Sequence, residues 1–562
     1  MVNTVDPLRA GRLVDPRAAM PAAWIPFDAV SHRACSNGPY NRRADELGDL
    51  SLWRHGSSRA TRRGRAAIRS PLRSILLAAL LGSSLTACTV GPDYSRTSAP
   101  VPDRYKELKG WKVAAPIDTL DRGPWWSIYK DKRLDELARQ VEISNQNVNA
   151  AAAAYEQARA IIREAQASLF PTLTGSYSVT RSYTGQNVSQ ITGQQSGYTT
   201  IYNPQAAGSW APDVWGKVRR QIESNVAAAQ VSAADLANAK LSAQAMLAIA
   251  YFNLSTMDSL RSLLDKTIAD YRRTLVIVKN QFTTGVVSHS DEDAVQTQLS
   301  NTQAMATNTD LQRAQFEHAI AVLIGRPPAE LTIARRPLAQ GIPIIPVTVP
   351  SLLLERRPDV AAAERQMQEQ NALIGVAVAA YYPNINLSGA IGASGAVPLP
   401  FSAPNILWSL GAAASETVFD GGLRGAQVDA ARAVYWQSVA NYRQTVLTAF
   451  QQVEDQLAAI RILTQQLKQE NDAVYAAHRM VESYMNQYRT GVVDLTTLLY
   501  EQSTLLSSAQ AALAIRQSLF VASVNLIEAL GGGWDARLLP TEEELIKGFS
   551  LLPQLPQEKT GL

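Results

Sequence analysis

Asn280-Gln281-Phe282-Thr283-Thr284-Gly285-Val286-Val287 returns 206 residues later as Asn486-Gln487-Tyr488-Arg489-Thr490-Gly491-Val492-Val493, identical at six of eight positions. In each copy the glycine closes a long stretch that contains no other helix breaker. Residues 217–284 run 68 positions without Gly or Pro, and residues 426–490 run 65. Fully helical, each would be about 100 Å long at 1.5 Å per residue. Beyond each glycine lies a second unbroken stretch, 286–324 and 492–530, of 39 residues each. Such lengths exceed those of ordinary globular helices and call for coiled-coil or tubular packing. Gly285 and Gly491 stand where the chain must reverse, the natural place for a left-handed backbone.

The repeat extends outward from these turns. Leu323-Ile324-Gly325 falls on Ala529-Leu530-Gly531 at the same offset, and Gly216-x-x-Arg219 parallels Gly421-x-x-Arg424. Ala167-Ser168-Leu169-Phe170-Pro171 parallels Ala379-Ala380-Tyr381-Tyr382-Pro383. Each half therefore reads helix, two strands, very long helix, Gly-turn, helix. The period is too long for a solenoid and marks a duplicated domain. The first repeat spans 126–337 and the second 351–535, separated by a Pro-rich join at 338–350, with a tail at 536–562 expected to be loosely ordered.

After each proline the period changes from 3.6 to 2. Leu173, Gly175, Tyr177 and Val179 alternate with Thr172, Thr174, Ser176, Ser178 and Thr180. Ile385, Leu387, Gly389 and Ile391 form a second apolar row, and Ile406, Trp408, Leu410, Ala412 and Ala414 a third. The segment 198–214 is less regular. Alternation over about ten residues fits a transmembrane β-strand and also a half-buried soluble sheet. The N-terminus decides between them.

Formal net charge is +4 over 562 residues, but residues 1–87 hold 13 Arg, no Lys and six acids, a net of +7. The other 475 residues are therefore net −3. Arg59, Arg62, Arg63, Arg65, Arg69 and Arg73 precede an apolar run from Ile75 to Leu81, which ends in Leu85-Thr86-Ala87-Cys88. A basic n-region, a short h-region and small residues before a cleavage point form a secretory signal. Residues 1–73 read as an extension and n-region absent from the mature protein, 74–87 as h-region and lipobox, and 88–125 as a lipidated linker. Leu-Thr-Ala-Cys resembles a bacterial lipobox, which makes Cys88 the acylated first residue of the mature chain. An envelope lipoprotein with four strands cannot close a barrel alone, and an open sheet edge cannot sit in lipid. Several chains must then share one barrel. Eight strands would leave an interior filled by side chains, whereas twelve, from a trimer, leave a lumen. No stretch after Cys88 reaches 18 apolar residues, so no transmembrane helix is expected.

The chain resembles the outer-membrane factor family, the TolC-like trimeric efflux ducts, and within it the NodT/OprM-like lipoproteins. The resemblance is carried by Cys88-Thr89-Val90-Gly91-Pro92-Asp93-Tyr94, by Trp125-Trp126 and by 165–171. Trp215-Gly216-Lys217-Val218-Arg219, Glu355-Arg356-Arg357-Pro358-Asp359-Val360, Phe419-Asp420-Gly421-Gly422 and both Thr-Gly-Val-Val turns belong to it too. It implies a homotrimer with a twelve-stranded barrel in the bacterial outer membrane above a periplasmic α-barrel. It implies a periplasmic adaptor (membrane fusion protein) and an inner-membrane transporter of the proton-driven RND type as partners. The covalent lipid on Cys88 is the only attached group expected, with no cofactor, metal or nucleic acid. A duct for type I protein secretion and a lipid-anchored coiled-coil scaffold or adhesin are the alternatives.

By this resemblance Gly285, Val286, Gly491 and Val492 form the adaptor-facing tips. Residues after each tip, most of them acids, would narrow the periplasmic entrance: Asp291 and Glu292 in the first half, Asp494, Tyr500 and Glu501 in the second. Tyr500 stands where the family frequently carries an acid, with Glu501 one step, about 100° of helix, away. Like carboxylates brought together by symmetry repel, so such a ring would favour cations. Catalytic patterns are missing: the five His are scattered, without a His-Glu-x-x-His or a phosphate-binding Gly-x4-Gly-Lys-Ser/Thr.

Overall fold

The computed structural model describes residues 89–107, 124–193, 195–345 and 355–547. Helix α1 (Lys132–Ser144) leads into α2 (Gln146–Ala167) and strand β1 (Thr172–Thr184). A short helix, α3 (Gln186–Thr192), precedes β2 (Gly197–Trp210), followed by α4 (Lys217–Thr283) and α5 (His289–Leu323). The second half repeats the order with α6 (Pro358–Ala379), β3 (Asn384–Ala393), β4 (Ile406–Ser415), α7 (Leu423–Arg489) and α8 (Leu495–Ala529). The equivalent helices have equal lengths: 67 residues for α4 and α7, 35 for α5 and α8, 22 for α2 and α6. α7 begins three residues before the breaker-free stretch, because its first turn tolerates Gly425 behind a left-handed Gly422 (φ 91°).

The helices form one wall. α4 packs along α5, α6, α2 and α8, and α7 packs along α8 and α6. α5 ends where α2 begins: Asn145 Nδ2 donates to the Leu323 carbonyl (2.7 Å) and Ser144 Oγ to that of Ile324 (2.6 Å). In the second half Arg357, just before α6, donates to the Ala529 carbonyl at the end of α8 (3.0 Å). These donors satisfy carbonyls that a helix end leaves open. The wall thus has four positions: α2 above α5, then α4, then α6 above α8, then α7. Among the described helices its outermost members are the α2/α5 stack and α7. One apolar core surrounds the level of these joints, with Trp125, Leu247, Phe252, Val453 and Phe520 in it, and a separate one gathers Leu264, Tyr271, Val295 and Leu498 toward the tips.

The four strands form one antiparallel sheet in the order β1-β2-β3-β4. Among the described residues β1 and β4 have only one strand neighbour each, so both edges of the sheet lack a partner strand. Pro204 explains the irregularity read in 198–214. It pairs with Tyr177 of β1, whereas β3 pairs with β2 only from Gln205 onward, so its missing N–H removes no bond to β3.

α8 is long and apolar enough to cross a membrane, but over half of its apolar window is buried in the wall. It is a core helix. One expectation is corrected, that of a loosely ordered tail. The tail is ordered at its start: α9 (Glu542–Ile546) seats Leu545 against Ile162, Ile222 and Val226. Gln230 Nε2 also donates to the Pro540 carbonyl (2.9 Å).

Candidate functional site

Both helix tips close in the same way. Val286 N–H donates to the Gln281 carbonyl (2.9 Å) and Gly285 N–H to that of Phe282 (2.9 Å). Val492 and Gly491 do the same to Gln487 and Tyr488 (2.9 and 3.1 Å). This paired bonding ends a helix on a left-handed residue, and Gly285 and Gly491 have φ of 76° and 75°. Val286 and Val492 are exposed beside them. The tips are tied together by Tyr488, which is buried and donates its hydroxyl to Gln281 Oε1 (2.7 Å). Burial, and the nearby Asp291 carboxylate after it, push the phenol upward. Sequence reading passed over this bridge, although Gln281 and Tyr488 both lie in the repeated motif.

The acids proposed for the entrance divide by what they touch. Asp291 accepts from Ser288 N–H (2.9 Å) and Oγ (3.0 Å), half of a capping box that starts α5. Asp494 caps α8 by accepting from Thr497 N–H (2.8 Å), and the Thr497 hydroxyl, with that N–H after it, holds its carboxyl below the usual range. Glu292 lies 3.5 Å from Lys279 of α4. Tyr500 is exposed (68%). Glu501 departs from the expectation: at 8% exposure it is turned into the helix wall beside Leu498 and Gln502, not toward an open face. The one-step rotation from Tyr500 carried it inward. His289 adds an unforeseen group at the first tip, 3.0 Å from Asp293 and edge-on to Phe282, and its bond to Asp293 raises its pKa.

At the other end the sheet separates two chemistries. Register puts Leu173, Tyr177, Val179, Tyr202, Leu387, Ile391, Trp408 and Leu410 on one face and Thr172, Thr174, Ser176, Asn203, Asn386, Ser388 and Ser409 on the other. The apolar side chains lie open, Leu173 at 85% and Leu410 at 81%. Aromatic rings mark both ends of this face: Phe170, Trp210, Tyr381 and Tyr382 beside the helices, Tyr183, Tyr198 and Phe401 at the far side. An apolar band between aromatic girdles, backed by a polar face, is the pattern of a strand between lipid and a lumen.

The chain matches the outer membrane efflux protein family over residues 137–326 and 349–532. It belongs to that family. Among curated proteins it is 29% identical over 467 residues to the antibiotic efflux pump outer membrane protein ArpC of Pseudomonas putida, covering 82% of this chain and 96% of that one. It is 26% identical to the cation efflux system protein CusC of Escherichia coli, over 82% and 98%. Among solved structures the outer-membrane channel OprN superposes with a TM-score of 0.73 at 26% identity, over 80% of this chain and all of that one. As a member of the efflux protein family, the chain is the outer-membrane channel component of an efflux system and extends into the periplasm.

Cys88 lies outside the described residues, and Thr89 is the first one placed. The segment after it is clamped to the wall where β2 passes into α4. Val90 N–H donates to the Trp215 carbonyl (3.3 Å), and Thr89 lies against Gly216. Arg220, with a side chain only 6% exposed, reaches Asp93 (2.7 Å), Glu223 (2.7 Å) and the Val90 carbonyl (3.2 Å). Gly91 (φ 101°) rests on the backbone of Gly375, where a Cβ would come within 2.4 Å of Cα.

Proposed function

We propose that the channel is a passive homotrimeric duct, with four strands from each chain closing a twelve-stranded barrel and α7 of one chain meeting the α2/α5 margin of the next. The observation that carries this is the coincidence of these margins. Among the described residues both edges of the sheet lack a neighbouring strand and the helix wall ends on α2/α5 and α7, and a lone sheet edge cannot be left open in lipid. Closure at three leaves a lumen that two copies would fill. A heat-modifiable trimer in the outer-membrane fraction, conducting in planar bilayers, is the expected result. A peripheral protein extracted by urea would overturn the reading.

The tips at Gly285, Val286, Gly491 and Val492 meet a periplasmic adaptor, and an inner-membrane pump of the proton-driven RND type supplies the energy. The relatives' names span antibiotics and a cation at similar identity, which supports cargo selection at the pump rather than in the duct. Drug and metal susceptibility of a deletion strain identifies the cargo.

Asp291 and Asp494 contribute charge at the entrance in addition to capping. Asn retains the capping oxygen while removing the charge. The pair Asp291→Asn and Asp494→Asn should therefore weaken block by divalent cations in planar bilayers and leave the tips folded. Unchanged block would refute the electrostatic role. The depressed Asp494 carboxyl adds stability that is complete above its unfolded pKa, about 3.9, and is lost as pH falls through the lower folded value. Acid unfolding monitored at the tip should lose that contribution in Asp494→Asn.

Cys88 carries the lipid. The clamp on Thr89 and Val90 supports this, because it holds the start of the mature chain at the level where the barrel gives way to helices, beside the inner leaflet. Intact mass should show an acylated chain beginning at Cys88, and Cys88→Ala should lose the lipid mass. An unacylated chain with a native start upstream would exclude it.

A further inference from the structure

The four strands contain one charged residue, Arg181 of β1. Its register partner is Thr200, which puts it on the apolar outward face with Val179 and Tyr183 rather than on the hydroxyl-lined face. It is exposed, its guanidinium lies 5.2 Å over the Tyr198 ring, and among the described residues no acid pairs with it. Tyr198 in turn packs on Tyr183, ring centroids 5.0 Å apart. A charge facing hydrocarbon is costly, least so at the interface. Arg181 lies nine residues beyond Thr172, or about 30 Å along the strand. With the usual barrel tilt this is roughly 23 Å in height, close to the apolar band of about 25 Å. The guanidinium thus sits at the girdle remote from the helices, level with the headgroups of the outer leaflet.

Below it the same face is grooved. Small side chains at Gly175, Ala206 and Gly208 floor a cleft of about 640 Å³ between the walls Leu173, Trp408 and Leu410. A second cleft, of about 570 Å³, runs between Tyr177, Pro204, Ile391, Phe401 and Ile406, nearer the outer girdle. The two are almost wholly apolar, and the second ends at Tyr177 and Pro204, four residues along β1 from Arg181, or about 13 Å. We infer that this face is a site for a phosphorylated, multiply acylated glycolipid of the outer leaflet, its acyl chains lying in the grooves and its phosphate on Arg181. Arginine suits that group because its planar donors match phosphate oxygens in pairs, and the Tyr198 ring lies against the guanidinium. The occupant is lipid rather than free phosphate, because the cation stands on the same apolar face, beyond the end of the clefts, and not in a polar pocket. The site rests on the barrel reading above.

Full-length trimer in detergent is titrated with purified lipopolysaccharide, with the same lipid after removal of its phosphates, and with inorganic phosphate as competitor. Loss of the phosphates should weaken binding about tenfold or more, as expected for a charge-assisted hydrogen bond. Arg181→Gln should weaken binding of the intact lipid by a similar factor, and Arg181→Lys should retain part of it. Equal affinity for both lipids, or an unchanged Arg181→Gln, overturns the site. Competition by inorganic phosphate as effective as that by lipid overturns the choice of a lipid. The wild-type comparison needs no variant to fold. Failure of the barrel reading would register separately, as loss of the heat-modifiable trimer and its conductance.

Discussion

Gly531→Ala is expected to prevent assembly of a stable channel, and Gly325→Ala to do nearly the same, whereas alanine at either tip glycine is tolerated. All four glycines end a helix with the same pair of backbone bonds and with φ between 68° and 92°. A left-handed alanine costs about 1–2 kcal/mol at any of them. The difference lies in what surrounds the missing Cβ. At Gly285 and Gly491 nothing lies within 4 Å. At Gly531 the Cβ would stand 1.9 Å from the Arg356 carbonyl oxygen, and at Gly325 2.0 Å from that of Ser144. Those oxygens belong to backbone at the joints where one helix abuts the next, so no side chain can swing away. Overpacking adds about 1–3 kcal/mol more, for a total of about 2–5 kcal/mol in each chain of the proposed trimer. Heat-modifiable trimer on gels and the thermal midpoint measure the contrast. Equal behaviour of Gly531→Ala and Gly285→Ala would show that the joints are not close-packed.

This contrast also marks what could be read in the sequence. Both glycine pairs were legible as helix ends, because a breaker at the end of some 40 or 70 unbroken residues admits little else. Their different surroundings were not, since the oxygens that crowd Gly325 and Gly531 come from positions about 175–180 residues earlier in the chain. The strand faces were legible from alternation alone, even to the polar row, and only β2 was blurred, by a proline whose harmlessness depends on where β3 stops pairing. Entrance acids were the least legible. Asp291 and Asp494 act first on their own helix starts, a local role that spacing to the glycine cannot separate from a lumenal one. Glu501 lies one residue from exposed Tyr500, and a single helical step decides between solvent and wall. Tyr488 and Gln281 both stand in the repeated motif, but a hydrogen bond across two hairpins has no signature in either copy of it.

Leu410→Arg and Ser409→Arg differ by one position in β4, yet opposite outcomes are expected. Register places Leu410 opposite Gly389 on the apolar face, and Ser409 opposite Ala390 on the other. Leu410 is the fifth of ten residues in the strand, near the middle of the apolar band. An arginine facing lipid at that depth costs about 2–4 kcal/mol. Three copies in the proposed trimeric barrel make that roughly 6–12 kcal/mol, comparable with the whole stability of a typical domain. Leu410→Arg should therefore leave no assembled channel in the outer membrane. Ser409→Arg places its charge in water within the lumen, where three cations reduce single-channel conductance and shift selectivity toward anions while the trimer persists. Assembly is read by heat-modifiability and selectivity by reversal potential in a salt gradient. If Leu410→Arg assembled and Ser409→Arg did not, the sheet would curl the other way, with its hydroxyls toward lipid. Because the side-chain period of a strand is two, no intermediate assignment is open: the pair tests at once which face meets the membrane and whether the sheet lies in a membrane at all. A soluble sheet packed on another surface would lose stability from both.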